Sequence, residues 1–367
     1  MYSSALLTDL YELTMMQGYF FKKNNPDVVF EMFFRRNPFK GGYTVFAGLE
    51  PLLTRLSNLH FDNDDIEYLK GTGIFKDSFL NYLKDFKFTG DIFSVDEGTI
   101  VFPGEPLITV KANLMEAQLI ESFLLNTVNF QTLIATKSSR VYSASSEGMI
   151  MEFGLRRAQG IDGALSAARA SYIGGASATS NTLAGKLYDI PVSGTMAHSW
   201  VMSFDSELES FRKYAEIYPS NAIFLIDTYD SLGSGIENAI IVGKELKAKG
   251  YNFGVRIDSG DLQYLSEEIR KRLDAEGLPD AFIAVSNDLN EHIIRQLVRD
   301  GAPINSWGVG TQLVTGGDDS SLTGVYKIVA KQQGDKLVPT IKLSNNPEKT
   351  TNPGFKQVYR FYDKNDS

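Results

Sequence analysis

The sequence contains no cysteine, which excludes disulfides, thiolate nucleophiles and cysteine metal sites. Histidine is almost as scarce. Only His60, His198 and His292 occur, too few for a polyhistidine metal site. Positive charge is not in excess: 36 Lys and Arg stand against 45 Asp and Glu, a net charge of −9. That argues against a nucleic-acid partner, because phosphate neutralisation needs a dense basic face. A local cationic pocket stays compatible with it. No stretch reaches the roughly 18 uninterrupted apolar residues of a membrane span. The opening MYSSALLTDLYELTMM lacks the basic start of a secretory leader, and Asp9 and Glu12 interrupt its apolar run. No membrane association and a cytoplasmic location are therefore expected. There is no low-complexity tract.

What is present is the profile of a globular protein, with 43% hydrophobic and 22% charged residues. Its 367 residues suggest two domains, each able to bury a core without covalent staples. In the first third, residues 4–21 read as an amphipathic helix. VVFEMFFR (28–35) reads as a strand, and Asn37-Pro38 and Gly41-Gly42 as a turn. Helices are expected at 48–58, 63–71 and 76–84, then short strands between 88 and 110 cut by glycine and proline. A single long helix is expected over 116–145.

From there the chain alternates short apolar strands with helical stretches. The strands read are MIMEFG (149–154), 176–179, 192–196, 222–226, 253–257, 281–285 and 306–309. Polar, charged or glycine-rich residues follow each: LRR, ATSN, TMAHS, IDTYD, IDSGD, VSNDL and GVGT. An α/β barrel needs such strand ends on its active face. An open doubly wound sheet also binds ligands there, but no Rossmann fingerprint is present. The expected fold is α/β: an irregular (β/α) barrel of seven to eight strands at 116–324, preceded by an N-terminal α/β domain at 1–115. Residues 325–367 should return to that domain as two antiparallel strands and one further strand.

Candidate chemistry sits at the strand ends. Arg156 and Arg157 offer planar, permanently charged forks for phosphate or carboxylate; the bland alternative is a solvated pair answering nearby acids. Phe153 beside them suits a flat anionic ligand, although a lone Phe is more often core. Asp227 and Asp230, and Asp258 and Asp261, form acidic pairs at neighbouring strand ends, suited to ribose hydroxyls or Mg²⁺. Helix capping competes, and explains Asp261 or Ser259 better than Asp258. Gly308-Val309-Gly310-Thr311, with Thr315-Gly316-Gly317 beyond, can cradle a phosphate on backbone amides or be a tight turn. His198, just past a strand, is a candidate base or nucleophile. His60 and His292 read as helix-surface residues. Together these describe an anionic sugar-phosphate ligand, fitting phosphoribosyl chemistry, a phosphosugar isomerase or an aldolase. A Schiff-base aldolase would want a strand-end lysine, and none is there.

LLTDLYELTM, FEMFFRRNPF, EFGLRRAQG, GTMAHSW, LIDTYDS, VRIDSGDL, VGTQLVT and NPEKTTNPG together resemble the nicotinate phosphoribosyltransferase family, over nearly the whole chain. The resemblance implies transfer of phosphoribose from phosphoribosyl pyrophosphate to nicotinate in NAD salvage. It implies ATP as co-substrate through a phosphorylated histidine, Mg²⁺, and a homodimer with a shared active site. By resemblance His198 is the phosphorylated histidine, and Phe153 and the partner's copy of Tyr11 sandwich the pyridine ring. Thr195 and Arg256 contact nicotinate, Asp258 binds ribose and Asp227 is a further active-site acid. Arg156 and Arg157 face phosphate or pyrophosphate, and Gly310 and Thr311 form the 5′-phosphate loop. Asn181 stands where nicotinamide-using relatives carry an acid, which favours nicotinate. Two rivals remain: a nicotinamide-using transferase, and a shortened non-catalytic member, since the family usually extends further.

Overall fold

A computed structural model describes residues 5–146, 148–346 and 349–361. The chain divides into two compact units, Met1–Leu133 with Ser321–Ser367, and Ile134–Ser320.

The first unit is built on a five-stranded antiparallel sheet. In chain order the first strands of this unit are β1 (Asp27–Phe34), β2 (Thr44–Val45), β3 (Asp91–Ser94), β4 (Ile100–Val101) and β5 (Ile108–Asn113), of which β1, β5 and β3 lie side by side in that sheet. β1 is central because DVVFEMFF is apolar on both faces, and six of its residues are buried. β5 pairs with one side of it, with Phe30 opposite Val110. β2 and β4 form a separate small ladder. The expected helix at 4–21 begins only at Leu10, after Asp9, and runs to Lys22; the first four residues lie outside the described ones. The helices at Leu49–Ser57, Asn63–Gly71 and Asp77–Leu83 stand where the sequence put them.

The single helix expected over 116–145 is two. Leu114–Leu119 is capped by the Asn113 side chain, and Glu121–Ala144 follows a break at Ile120, whose ψ of −6° opens the ladder. No glycine or proline marks that break. The two units divide inside the second helix, later than the change of sequence texture at 116.

The second unit holds a six-stranded parallel sheet. Its strands are β6 (Met149–Glu152), β7 (Ala178–Thr179), β8 (Ala222–Leu225), β9 (Phe253–Ile257), β10 (Phe282–Val285) and β11 (Ser306–Val309). Their order is β7-β6-β11-β10-β9-β8. The first and last strands of the unit, β6 and β11, are therefore neighbours, with Glu152 opposite Val309. Sequential neighbours joined by a first-to-last pair make the cyclic order of a curled barrel sheet, open at one seam.

Six strands, not seven to eight, form this sheet. The segment 192–196 makes only one parallel bridge, Val192 to Thr179. Pro191 cannot donate to a ladder and Gly194 weakens one, so the segment reaches the sheet edge without joining it. The seam lies between it and β8.

After the second unit, β12 (Gly324–Gln333) and β13 (Lys336–Pro339) return as expected. β12 pairs antiparallel with the free side of β1, and β13 with β12. The further strand expected after residue 345 does not form among the described residues; 347–348 and 362–367 lie outside them.

Candidate active site

The parallel register brings the carboxyl ends of the six strands to one rim. Leu225 faces Arg256, Ile257 faces Val285, Val309 faces Glu152, and Glu152 faces Thr179. Residues just beyond those positions are the ones the sequence singles out.

Asp227 and Asp258 leave neighbouring strands and are tied together. The Asp258 backbone N–H donates to Asp227 Oδ2 at 2.9 Å and the Ser259 hydroxyl to the same oxygen at 2.5 Å. Ser286, at the end of β10, donates its hydroxyl to Asp258 Oδ1. The Asp227 side chain is only 1% exposed, and its second oxygen, Oδ1, has no hydrogen-bond donor. Near it stands His198 Nε2, 3.8 Å away, while Thr228 Oγ1 holds His198 Nδ1 at 3.1 Å. The imidazole is 42% exposed, so it is tethered at one nitrogen and still reachable. Asp230 and Asp261 take the bland role. Asp230 accepts the amides of Leu232 and Gly233, and Asp261 caps the helix Leu262–Ala275 through Tyr264 N–H. One member of each acidic pair therefore faces the rim and the other caps.

Arg256 points from β9 toward the 192–198 loop. Its Nη1 group donates to Thr195 Oγ1 and to the Met196 carbonyl at 3.3 Å. Its Nε–H is buried without an acceptor. Burial pulls the guanidinium pKa down, and Asp258 and Asp227 oppose that shift. With Nη1 committed, the free edge is Nε with Nη2, the planar fork that matches a carboxylate. Arg156 lies close enough to Arg256 to disfavour its charge. Arg156 and Arg157 sit on a short turn, exposed, with no acidic partner among the described residues.

Phe153 closes the base of this rim. Its N–H donates to the Val309 carbonyl at 2.8 Å. A side chain at Gly308 would meet the Phe153 ring at 2.7 Å and Ser286 Cβ at 3.2 Å. Glycine there leaves room for the ring beside β11. A Cβ on Gly310 would stand 3.4 Å from the Phe153 carbonyl. Thr311 follows directly and opens the turn Thr311–Val314.

Residues 6–129 match the model of the nicotinate phosphoribosyltransferase N-terminal domain, and residues 149–365 match the model of the nicotinate phosphoribosyltransferase family. The chain belongs to the nicotinate phosphoribosyltransferase family. It is 48% identical to the nicotinate phosphoribosyltransferase of Bacillus subtilis over 98% of this chain and 73% of that protein. The corresponding protein of Mycobacterium tuberculosis is 43% identical, over 97% and 75%. The crystal structure of human nicotinic acid phosphoribosyltransferase superposes with a TM-score of 0.80 at 31% identity, covering 91% of this chain and 77% of that one.

Several residues that shape this family site are not legible as such in the sequence. Thr228, Ser259 and Ser286 are the hydroxyls that hold His198, Asp227 and Asp258. Glu152 lies buried beneath Phe153, accepting the Gly154 N–H and the Thr179 hydroxyl, the latter at 2.6 Å. Burial raises its pKa against those two hydrogen bonds. Asn181 is buried and caps the helix Thr182–Tyr188, its Oδ1 accepting Ala184 N–H at 3.2 Å.

Tyr11 belongs to the first unit and is 47% exposed there. Burial and a hydrogen bond to Glu12 push its hydroxyl pKa up. Among the described residues no three His, Cys, Asp or Glu side chains are grouped to hold a metal ion. Mg²⁺ needs only one or two protein carboxylates when phosphates complete its shell. The buried, donor-free Asp227 Oδ1 fits that requirement. No helix among the described residues is long and apolar enough to cross a membrane.

Proposed function

We propose that this chain transfers phosphoribose from phosphoribosyl pyrophosphate to nicotinate, giving nicotinate mononucleotide and pyrophosphate. The observation that carries this reading is Arg256, whose Nη1 is anchored on Thr195 and whose Nε–H is buried without an acceptor. A carboxylate on a flat ring answers that donor. In the reaction the pyridine nitrogen forms a bond to ribose C1 as the C1–O bond to pyrophosphate breaks. That centre passes through an oxocarbenium-like state, so positioning and charge stabilisation matter more than a strong base. Asp258, braced by Ser286, binds the ribose hydroxyls. Gly310 and Thr311 receive the 5′-phosphate, and Arg156 and Arg157 the pyrophosphate. Mg²⁺, held by Asp227 and substrate oxygens, would neutralise charge on the departing pyrophosphate.

His198 takes the phosphoryl group of ATP in this reading. Thr228 orients the ring, and Asp227 offers a carboxylate beside its other nitrogen. A homodimer in which the partner's Tyr11 covers the base and a cytoplasmic location belong to the same reading. Asn181 supports nicotinate over nicotinamide, because a neutral side chain does not repel a carboxylate as an acid would. Comparing kcat/KM for the two bases tests the reading. A large preference for nicotinate is expected; equal use, or use of nicotinamide alone, would overturn it.

A further inference from the structure

A buried ion cluster lies beside the rim and plays no part in the reaction described so far. Lys137 and Arg140 stand one helical turn apart on Glu121–Ala144, so they share a face. Both reach Glu291, the first residue of the helix Glu291–Arg299. Lys137 Nζ is 2.6 Å from Glu291 Oε2, and each of these side chains is only 1% exposed. Arg140 Nε donates to Glu291 Oε1 at 2.9 Å. Burial by itself would raise the Glu291 pKa; the hydrogen bonds from Lys137 and Arg140 outweigh it and hold the carboxylate below its ordinary value.

Such a cluster is a costly way to join two helices, since well-packed apolar side chains do so as well or better. Its position suggests what it achieves. Glu291 ends the loop 286–290, which begins with the hydroxyl that braces Asp258. Inside that loop Asn287 is held at φ 112°, a conformation that L residues rarely adopt. Asn290 closes it by accepting the amides of His292 and Ile293. Lys137 also underlies a second loop. A side chain on Gly317, itself at φ +60°, would stand 3.2 Å from Lys137 Nζ. One buried ammonium thus lies against both the segment after β10 and the Gly316-Gly317 bend after Thr311.

We propose that Glu291, clamped by Lys137 and Arg140, is a positioning residue for the phosphoribosyl half of the site, setting the 286–290 loop and, through Lys137, the Gly316-Gly317 bend. This rests on the phosphoribosyl reading of the rim. The cluster acts on the sugar-phosphate side, because one segment it lies against begins with the hydroxyl that braces Asp258 and the other is the bend that follows Thr311.

The test compares the wild-type chain with Glu291→Gln and with the double variant Lys137→Met/Glu291→Leu. Glu291→Gln strands two cations and is expected to lower the melting temperature. The double variant removes the buried pair together and keeps Arg140, which is partly exposed. It is expected to melt like the wild type, yet to raise the KM for phosphoribosyl pyrophosphate by roughly tenfold to a hundredfold, with nicotinate KM unchanged. Calorimetry with phosphoribosyl pyrophosphate alone should show the same weakening. A folded double variant with both KM values unchanged would overturn the proposal, as would an equal rise in both. Failure of the double variant to fold would also overturn it, by making the cluster a structural support. If the wild type itself does not bind phosphoribosyl pyrophosphate, the reading of the rim falls instead.

Discussion

Replacing Arg256 by lysine separates charge from geometry at the point where the proposed function places recognition of the base. The arginine's Nη1 is committed to Thr195 Oγ1 and the Met196 carbonyl, and its Nε–H is buried without an acceptor. A nicotinate carboxylate would therefore bond side-on to the Nε and Nη2 edge. Lysine keeps the positive charge but offers a compact point donor with no fork. The variant loses one of two charge-assisted hydrogen bonds, about 1.5–3 kcal/mol. At about 1.4 kcal/mol per tenfold, nicotinate KM should rise roughly 10- to 150-fold. The KM for phosphoribosyl pyrophosphate should not change, and nicotinamide, which lacks the carboxylate, should be little affected. The assay is steady-state product formation with each substrate varied in turn. An unaltered nicotinate KM, or an equal rise for both substrates, would refute the assignment of Arg256 to the base.

His198→Ala should abolish ATP stimulation while keeping some basal transfer; unchanged ATP coupling in that variant would refute the histidine's role. Gly308→Ala should push the Phe153 ring off β11, costing about 1–3 kcal/mol in denaturant unfolding and raising nicotinate KM; wild-type stability and KM would mean the ring yields freely. Glu12 is fully buried near Asp9, Glu121, Tyr11, Tyr19 and Tyr326, with Gln118 donating to it at 2.6 Å and Lys327 paired to Glu121. Burial raises its pKa from 4.5 to about 7. Because the folded state keeps a proton that the unfolded chain releases, stability falls as pH rises through that interval. Glu12→Gln should remove the fall, leaving the variant more stable than the wild type by about 3 kcal/mol above pH 7 and similar at the acid end. Parallel stability–pH curves for the two proteins would contradict this.

Strand ends were the legible part of the candidate site. An apolar run that stops at a charged or glycine-rich tip marks a strand of the parallel sheet and a candidate residue in one step, as at Arg256-Ile257-Asp258 and Gly308-Val309-Gly310. The capping alternative was also resolvable in kind: Asp261 caps its helix, as the adjacent helical pattern suggested. Less visible were interactions that depend on register between strands distant in sequence. Ser286 braces Asp258 only because β9 and β10 run in parallel with Ile257 beside Val285. Lys137 and Glu291 are separated by most of the second unit, and nothing in the local sequence of either announces a pair. The strand expected at 192–196 failed for a nearby reason: Pro191 and Gly194 allow one bridge and no ladder. The break at Ile120 carries no sequence signal at all.

The central claim is that one rim joins a flat acid to an activated pentose. The most direct measurement is product formation by the purified chain from nicotinate and phosphoribosyl pyrophosphate with Mg²⁺, with and without ATP. The account predicts nicotinate mononucleotide and equimolar pyrophosphate, formed faster with ATP. No product under either condition, from a folded protein, would contradict it.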